Sequence, residues 1–102
     1  MKIGVTSQNF RTVTGHAGKT RRFLIFEQGK NNSLQETTRL DLPKEMSMHE
    51  YKSEQPHPID DLDVLVTAGC GEGFQRKMAT RGIQVLVTDE TDPVKAVESL
   101  IQ

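Results

Sequence analysis

The sequence predicts an α/β fold on a mixed sheet, and three observations carry that expectation. Residues 63–68 and 83–88 are short apolar runs, each followed by residues at helical spacing, which is how parallel strands joined through helices are written. The run Phe23-Leu24-Ile25-Phe26 is closed by the turn cluster Gln28-Gly29-Lys30-Asn31-Asn32 and followed by an alternating stretch to Leu42, which reads as a hairpin. At 102 residues the chain has room for one hydrophobic core and not two. The element order expected is therefore β-β-β-α-β-α-β-α, one domain over residues 1–102.

Each element has its own local reason. Lys2-Ile3-Gly4-Val5-Thr6 alternates apolar and polar residues and makes a first strand at 2–6, followed by a long polar loop that runs to about Arg21. The hairpin strands are expected at 22–28 and 33–41. Pro43 opens a mixed stretch in which 44–51 can form a short helix, stopped by Pro56 and Pro58. A fourth strand at 63–68 leads into a helix at 72–81, whose apolar face carries Phe74 and Met78 and whose end is signalled by Gly82. The fifth strand is 83–88. Asp92-Pro93 then supplies an N-cap and a first-turn proline for a helix at 93–101, with Val94, Val97 and Ile101 at helical spacing.

Composition excludes several classes of function. The net charge is −1, with no lysine or arginine run to grip nucleic acid or an acidic membrane, and no segment is long enough to span a bilayer. One cysteine forbids an internal disulfide or a four-cysteine cluster site within one chain, and the N-terminus reads as a strand and not as a signal peptide. A cytoplasmic location is expected. Charge is nevertheless segregated: residues 1–30 carry six basic side chains against Glu27, and residues 41–63 carry seven acids against Lys44 and Lys52.

The chemistry gathers in two places. Ala68-Gly69-Cys70-Gly71-Glu72-Gly73-Phe74 follows a buried strand and opens a helix; its glycines let a ligand approach the backbone and its free N–H groups favour an anion. Gly15-His16-Ala17-Gly18 lies in the first loop, which is long enough to be functional, with Lys19, Arg21 and Arg22 close behind. His49 and His57 fall between prolines at a spacing that suits no helical metal pair, and no C-x-x-C or H-x-x-x-H occurs. Cys70 also fits C-x-x-G-x-x-R with Arg76, the layout of a cysteine phosphatase loop in which a thiolate attacks phosphorus and arginine clamps the oxyanion. Against it stand Gly69 and Lys77, where that family places histidine and a hydroxyl residue, and the carboxylate of Glu72. A buried structural thiol and a ligand-free interaction module are the further alternatives.

Taken together, the 2–6 strand, the Gly15-His16-Ala17-Gly18 loop, the Phe23–Phe26 run, the segment from Asp63 to Gly73 and the Arg81-Gly82-Ile83 junction resemble the dinitrogenase iron-molybdenum cofactor biosynthesis family, the NifX-like proteins. The resemblance spans nearly the whole chain. It implies a ribonuclease H-like fold: a five-stranded mixed sheet flanked by helices, with the second strand antiparallel to the rest. It also implies a non-catalytic protein that binds or carries an iron–molybdenum–sulfur cluster, a precursor or a related metal–sulfur cluster, with cofactor-assembly proteins as partners. Carried over by position, His16 stands at the family's loop histidine and Gly69, Gly71 and Gly73 at its glycine turn; beside them Gly18, and Cys70 as a soft sulfur ligand read from this chain's own residues, complete the expected cofactor contacts, with His16 and Cys70 as metal ligands. Ala17 stands where that family usually has an aromatic residue, and Cys70 where methionine or another apolar residue is common. Nuclease activity is not implied, because nucleases of that fold use a first-strand carboxylate to hold metal and residues 2–6 contain none.

Overall fold

A computed structural model describes residues 1–31, 33–52 and 54–100. Five strands, β1 (Lys2–Thr6), β2 (Arg22–Gln28), β3 (Leu34–Asp41), β4 (Val64–Thr67) and β5 (Gln84–Val87), form one sheet in the order β3-β2-β1-β4-β5. β1 pairs antiparallel with β2 and β2 antiparallel with β3, while β1–β4 and β4–β5 are parallel. Only β2 runs against the others. Two helices, α1 (Glu72–Thr80) and α2 (Pro93–Glu98), complete the regular structure, with 3-10 turns at Ala17–Lys19 and Lys44–Met46.

Both faces of the sheet are covered, which explains why its central strands read as continuous apolar runs. Ile3, Val5, Leu24, Phe26, Val64 and Val66 turn to one side, where Ala96 and Val97 of α2 and Val13 of the first loop close over them. Phe23, Ile25 and Leu65 turn to the other, against Met78 of α1, Ile83, and the chain from Leu42 through Met48 and Ile59 to Leu62. Gly4 faces this second layer, and a Cβ there would stand 2.6 Å from Leu62 Cδ1, so glycine admits the leucine. Gly82 ends α1 with φ +76°, a conformation side chains rarely adopt, and its N–H donates to the Ala79 carbonyl.

Three expectations need correction or limitation. The possible helix at 44–51 is instead a single 3-10 turn, after which Ser47 is extended at ψ 152° and the chain closes a second tight turn through Glu50 and Tyr51 N–H to the Ser47 carbonyl. Packing decides this. Met48 is buried and the His49 N–H is committed to the Gly18 carbonyl, so the backbone follows its distant partners and not helical spacing. The last helix ends at Glu98, short of the expected 101, with Leu100 N–H closing a turn onto the Val97 carbonyl. Asn32 of the expected hairpin turn and Ile101 of the expected final helix lie outside the described residues.

Candidate functional site

The C-terminal ends of β1 and β4 are neighbours because these strands are parallel and adjacent. The loops leaving them must therefore meet, and in open α/β sheets this is where ligand crevices form. A buried hydroxyl pair fixes the junction. Thr6 Oγ1 lies 2.8 Å from Thr67 Oγ1, and both reach the Thr14 carbonyl, at 2.6 and 3.2 Å. Backbone bonds then stitch loop to loop, Ala68 N–H donating to the Thr14 carbonyl (3.1 Å) and Ala17 N–H to the Gly69 carbonyl (3.2 Å).

Between the joined loops opens a cavity of about 690 Å³. All six expected cofactor-contact positions, His16, Gly18, Gly69, Cys70, Gly71 and Gly73, line it, as do Lys19, His49 and Phe74. A Cβ built at Gly69, Gly71 or Gly73 would meet nothing within 4 Å, and none of the three has positive φ. Their conformations do not require glycine. What the missing side chains leave is bare backbone on an open cleft, a cradle that side chains would fill.

His16 has the left-handed conformation, φ 53° and ψ 49°, uncommon for a residue with a side chain. The strain is held by its carbonyl, which accepts from Lys19 N–H (2.9 Å) and Thr20 N–H (3.1 Å), while the ring stays exposed. Cys70 is half-buried just ahead of α1, its Sγ accepting from Gln75 Nε2 at 3.6 Å. Among the described residues no three His, Cys, Asp or Glu side chains gather as a complete metal site. His16 and Cys70 could thus supply soft and borderline ligands to a metal species that brings the rest of its coordination with it.

The phosphatase layout does not assemble. Arg76 is absent from the cavity wall; its side chain is 77% exposed and pairs with Glu72 across one helical turn at 3.8 Å. Glu72 itself is 92% exposed, which keeps its carboxylate in solvent.

His49 and Phe74 were not assigned to the site from sequence, and each arrives by a different route. Phe74 lies on the apolar face of α1 that the spacing predicts and packs against the core; its ring edge also reaches the cavity, 3.8 Å from where a Gly18 Cβ would stand. His49 is carried in by the chain between β3 and β4, its N–H donating to the Gly18 carbonyl at 2.6 Å. His57 has a structural role. It is buried with Nε2 2.7 Å from the Met46 carbonyl and Nδ1 accepting from Ile59 N–H at 3.2 Å, so the ring is neutral and protonated on Nε2. Burial pushes its pKa below the ordinary value, against the pull of the Met46 hydrogen bond.

Basic groups ring the cleft. Lys19 lies on the wall, Arg21 and Lys44 line an adjoining groove with His49 and Glu50, and Lys52 and Lys77 line another beside Gly73 and Phe74. Lys77 Nζ donates to the Met48 and Tyr51 carbonyls, and burial lowers its pKa, with Lys52 and Arg81 adding to the effect. No described helix is long and apolar enough to cross a membrane.

No curated protein matches the sequence. Among solved structures the chain is similar to the crystal structure of PH0822, with TM-score 0.72 and 14% identity over 99% of this chain and 89% of that one. It is also similar to the NMR structure of TM1290 from Thermotoga, provisionally described as a NifB protein of the DUF35 family, with TM-score 0.63 and 9% identity over 97% and 85%. At such identities the two likenesses speak to the fold. The sequence itself matches the family described as dinitrogenase iron-molybdenum cofactor across residues 1–102, and the chain belongs to that family.

Proposed function

We propose that this protein binds or carries an anionic metal–sulfur cofactor or precursor of the iron–molybdenum type, as cargo in cofactor assembly, in the cleft between the 15–19 loop and the 69–73 turn. One observation carries the reading: at the joined ends of β1 and β4, side-chain-free glycine backbone faces the same cavity as His16 and Cys70. Backbone dipoles at the start of α1 and the cations around the rim favour a negative cargo. The imidazole and thiolate offer it exchangeable metal contacts. Family membership supports the cargo class. The setting proposed is the cytoplasm, with one domain over residues 1–102 handing cargo between assembly proteins. The strand order, with β2 alone reversed, supports the ribonuclease H-like assignment.

Anaerobic isolation with metal analysis and a visible absorption spectrum tests the reading directly. The His16→Ala, Gly73→Val double variant should keep its circular dichroism, since a Cβ at Gly73 meets open space, yet lose most of its bound metal and sulfide. Unchanged loading in the folded double variant would refute the cleft as the binding place.

A further inference from the structure

We infer that His49 is a ligand-contacting residue of the cleft, a second imidazole brought to the cargo from a part of the chain that the loop and glycine-turn markers do not touch. The inference rests on the cargo reading above and adds to it a residue and a direction of approach.

The first ground is position. His49 lines the main cavity and also two neighbouring grooves, so it forms part of the wall common to all three. Its Cβ is 3.8 Å from where a Gly18 Cβ would be, an ordinary contact distance that places it against the loop carrying His16.

The second ground is how firmly the backbone at this point is held while the ring is left alone. The Met48 side chain is buried, its carbonyl accepts from Lys77 Nζ, and the His49 N–H is bonded to Gly18. Behind these, the Tyr51 carbonyl accepts from the same lysine, and His57 ties its ring to the Met46 carbonyl. The imidazole of His49 is exposed and has no hydrogen-bond partner among the described residues, and the same is true of His16. The backbone is thus fixed against the cavity wall, and both ring nitrogens are left free for an incoming ligand.

Chemically the ring can do two things for a metal–sulfur anion. Its unprotonated nitrogen can occupy an open metal position, and its N–H can donate to a sulfide. Cys70 and His16 lie on loops that leave β4 and β1, and His49 lies on the segment between β3 and β4, so three separate stretches of chain would face the cargo.

The test uses tetrathiomolybdate, a small anionic molybdenum–sulfur species, titrated anaerobically by its visible absorption into the full chain and its His49→Ala, His49→Gln and His16→Ala variants. Diethyl pyrocarbonate labelling with mass spectrometry then reads which histidines the probe protects. The expected result is tighter binding by the native chain than by His49→Ala, by about tenfold or more, a loss within the range seen when groups supporting a metal site are removed. His49 should also be shielded from the reagent by the probe; both results are required. His49→Gln, which keeps an N–H donor, recovers affinity if the ring acts only as a donor and stays weak if it ligates metal. Either outcome keeps His49 as a contact. Binding that falls in His16→Ala but is unchanged in His49→Ala, with His49 still reactive, overturns the inference and leaves the cargo reading standing. No binding by the native chain overturns both. His49→Ala retains the backbone bond to Gly18 and removes no side-chain hydrogen bond, so its folding is not at issue.

Discussion

His57 is a single side chain on which the position of a whole segment depends. Its neutral ring donates through Nε2 to the Met46 carbonyl and accepts through Nδ1 from Ile59, with Tyr51 packed against it edge-on at 4.8 Å between centroids. Asp60, Arg81 and Lys77 are the charged groups that act on it, and Asp60 also caps its N–H at 2.8 Å and pairs with Arg81 at 2.6 Å. Because burial lowers the folded pKa beneath the ordinary 6.5, the unfolded chain binds more protons just below that value. Stability is then full above about pH 6.5 and is lost as pH falls through the folded-state pKa. Urea unfolding between pH 7.5 and 5 should show this decline, and His57→Phe should flatten it while costing about 1–3 kcal/mol at pH 7.5 through the orphaned Ile59 N–H and Met46 carbonyl. An equal pH slope in the two proteins would show that other groups carry the acid sensitivity.

Among the elements, two joints invite measurement. Asp92 caps α2 by accepting from the N–H groups of Val94 (2.9 Å) and Lys95 (3.3 Å), so Asp92→Ala should cost about 1 kcal/mol by denaturant unfolding. Thr6 and Thr67 share the Thr14 carbonyl and are both buried, so Thr6→Val and Thr67→Val should each cost about 1–3 kcal/mol, and their double variant should fall short of the sum. Strict additivity would mean that the hydroxyls act separately. These joints also show what could be read in advance. Asp92-Pro93 is a local signal and was legible, as were strands whose alternation or apolar runs answer to a two-sided core. The 44–51 stretch was not, because its conformation is set by Met48, His49 and Lys77 finding partners far along the chain. His49 was missed at the site for the same reason. Spacing within its own segment holds no trace of Gly18, and only the apolar Met46, Met48 and Tyr51 around it hinted that the segment folds back on the core.

At the scale of the whole molecule, strand order converts a weakly charged chain into one with a basic cleft. The adjacency of β1 and β4 joins the loop after β1 to the turn before α1, and the chain after β3 folds back to set Lys44 and Lys52 along grooves that share His49 with the cleft. Lys19, Arg21, Lys44 and Lys52 make no carboxylate pair within 4 Å among the described residues, whereas Lys2, Arg22, Arg39, Arg76 and Arg81 each do. Among the residues lining these spaces the acid is Glu50, on one groove. Unpaired cations around a cavity lower the cost of bringing in an anion and do so over roughly 10 Å at 0.1 M salt. Lys19 and Lys44 are exposed, so reversing both to glutamate should leave unfolding within about 0.5 kcal/mol of the native chain. Tetrathiomolybdate affinity at low salt should fall, and the difference from the native protein should shrink as salt is raised toward 1 M, where screening acts over only about 3 Å. Stability reports the same event independently: at a hundredfold excess over its dissociation constant, a ligand of the folded state adds about 2.7 kcal/mol. For a domain of this size that is roughly 10–20 °C in Tm, a shift the reversed variant should lack at the same probe concentration. Equal affinity and equal thermal shift at low salt would show that the surrounding cations play no part, and would leave the glycine backbone, Cys70 and the imidazoles of the cleft to hold the anion.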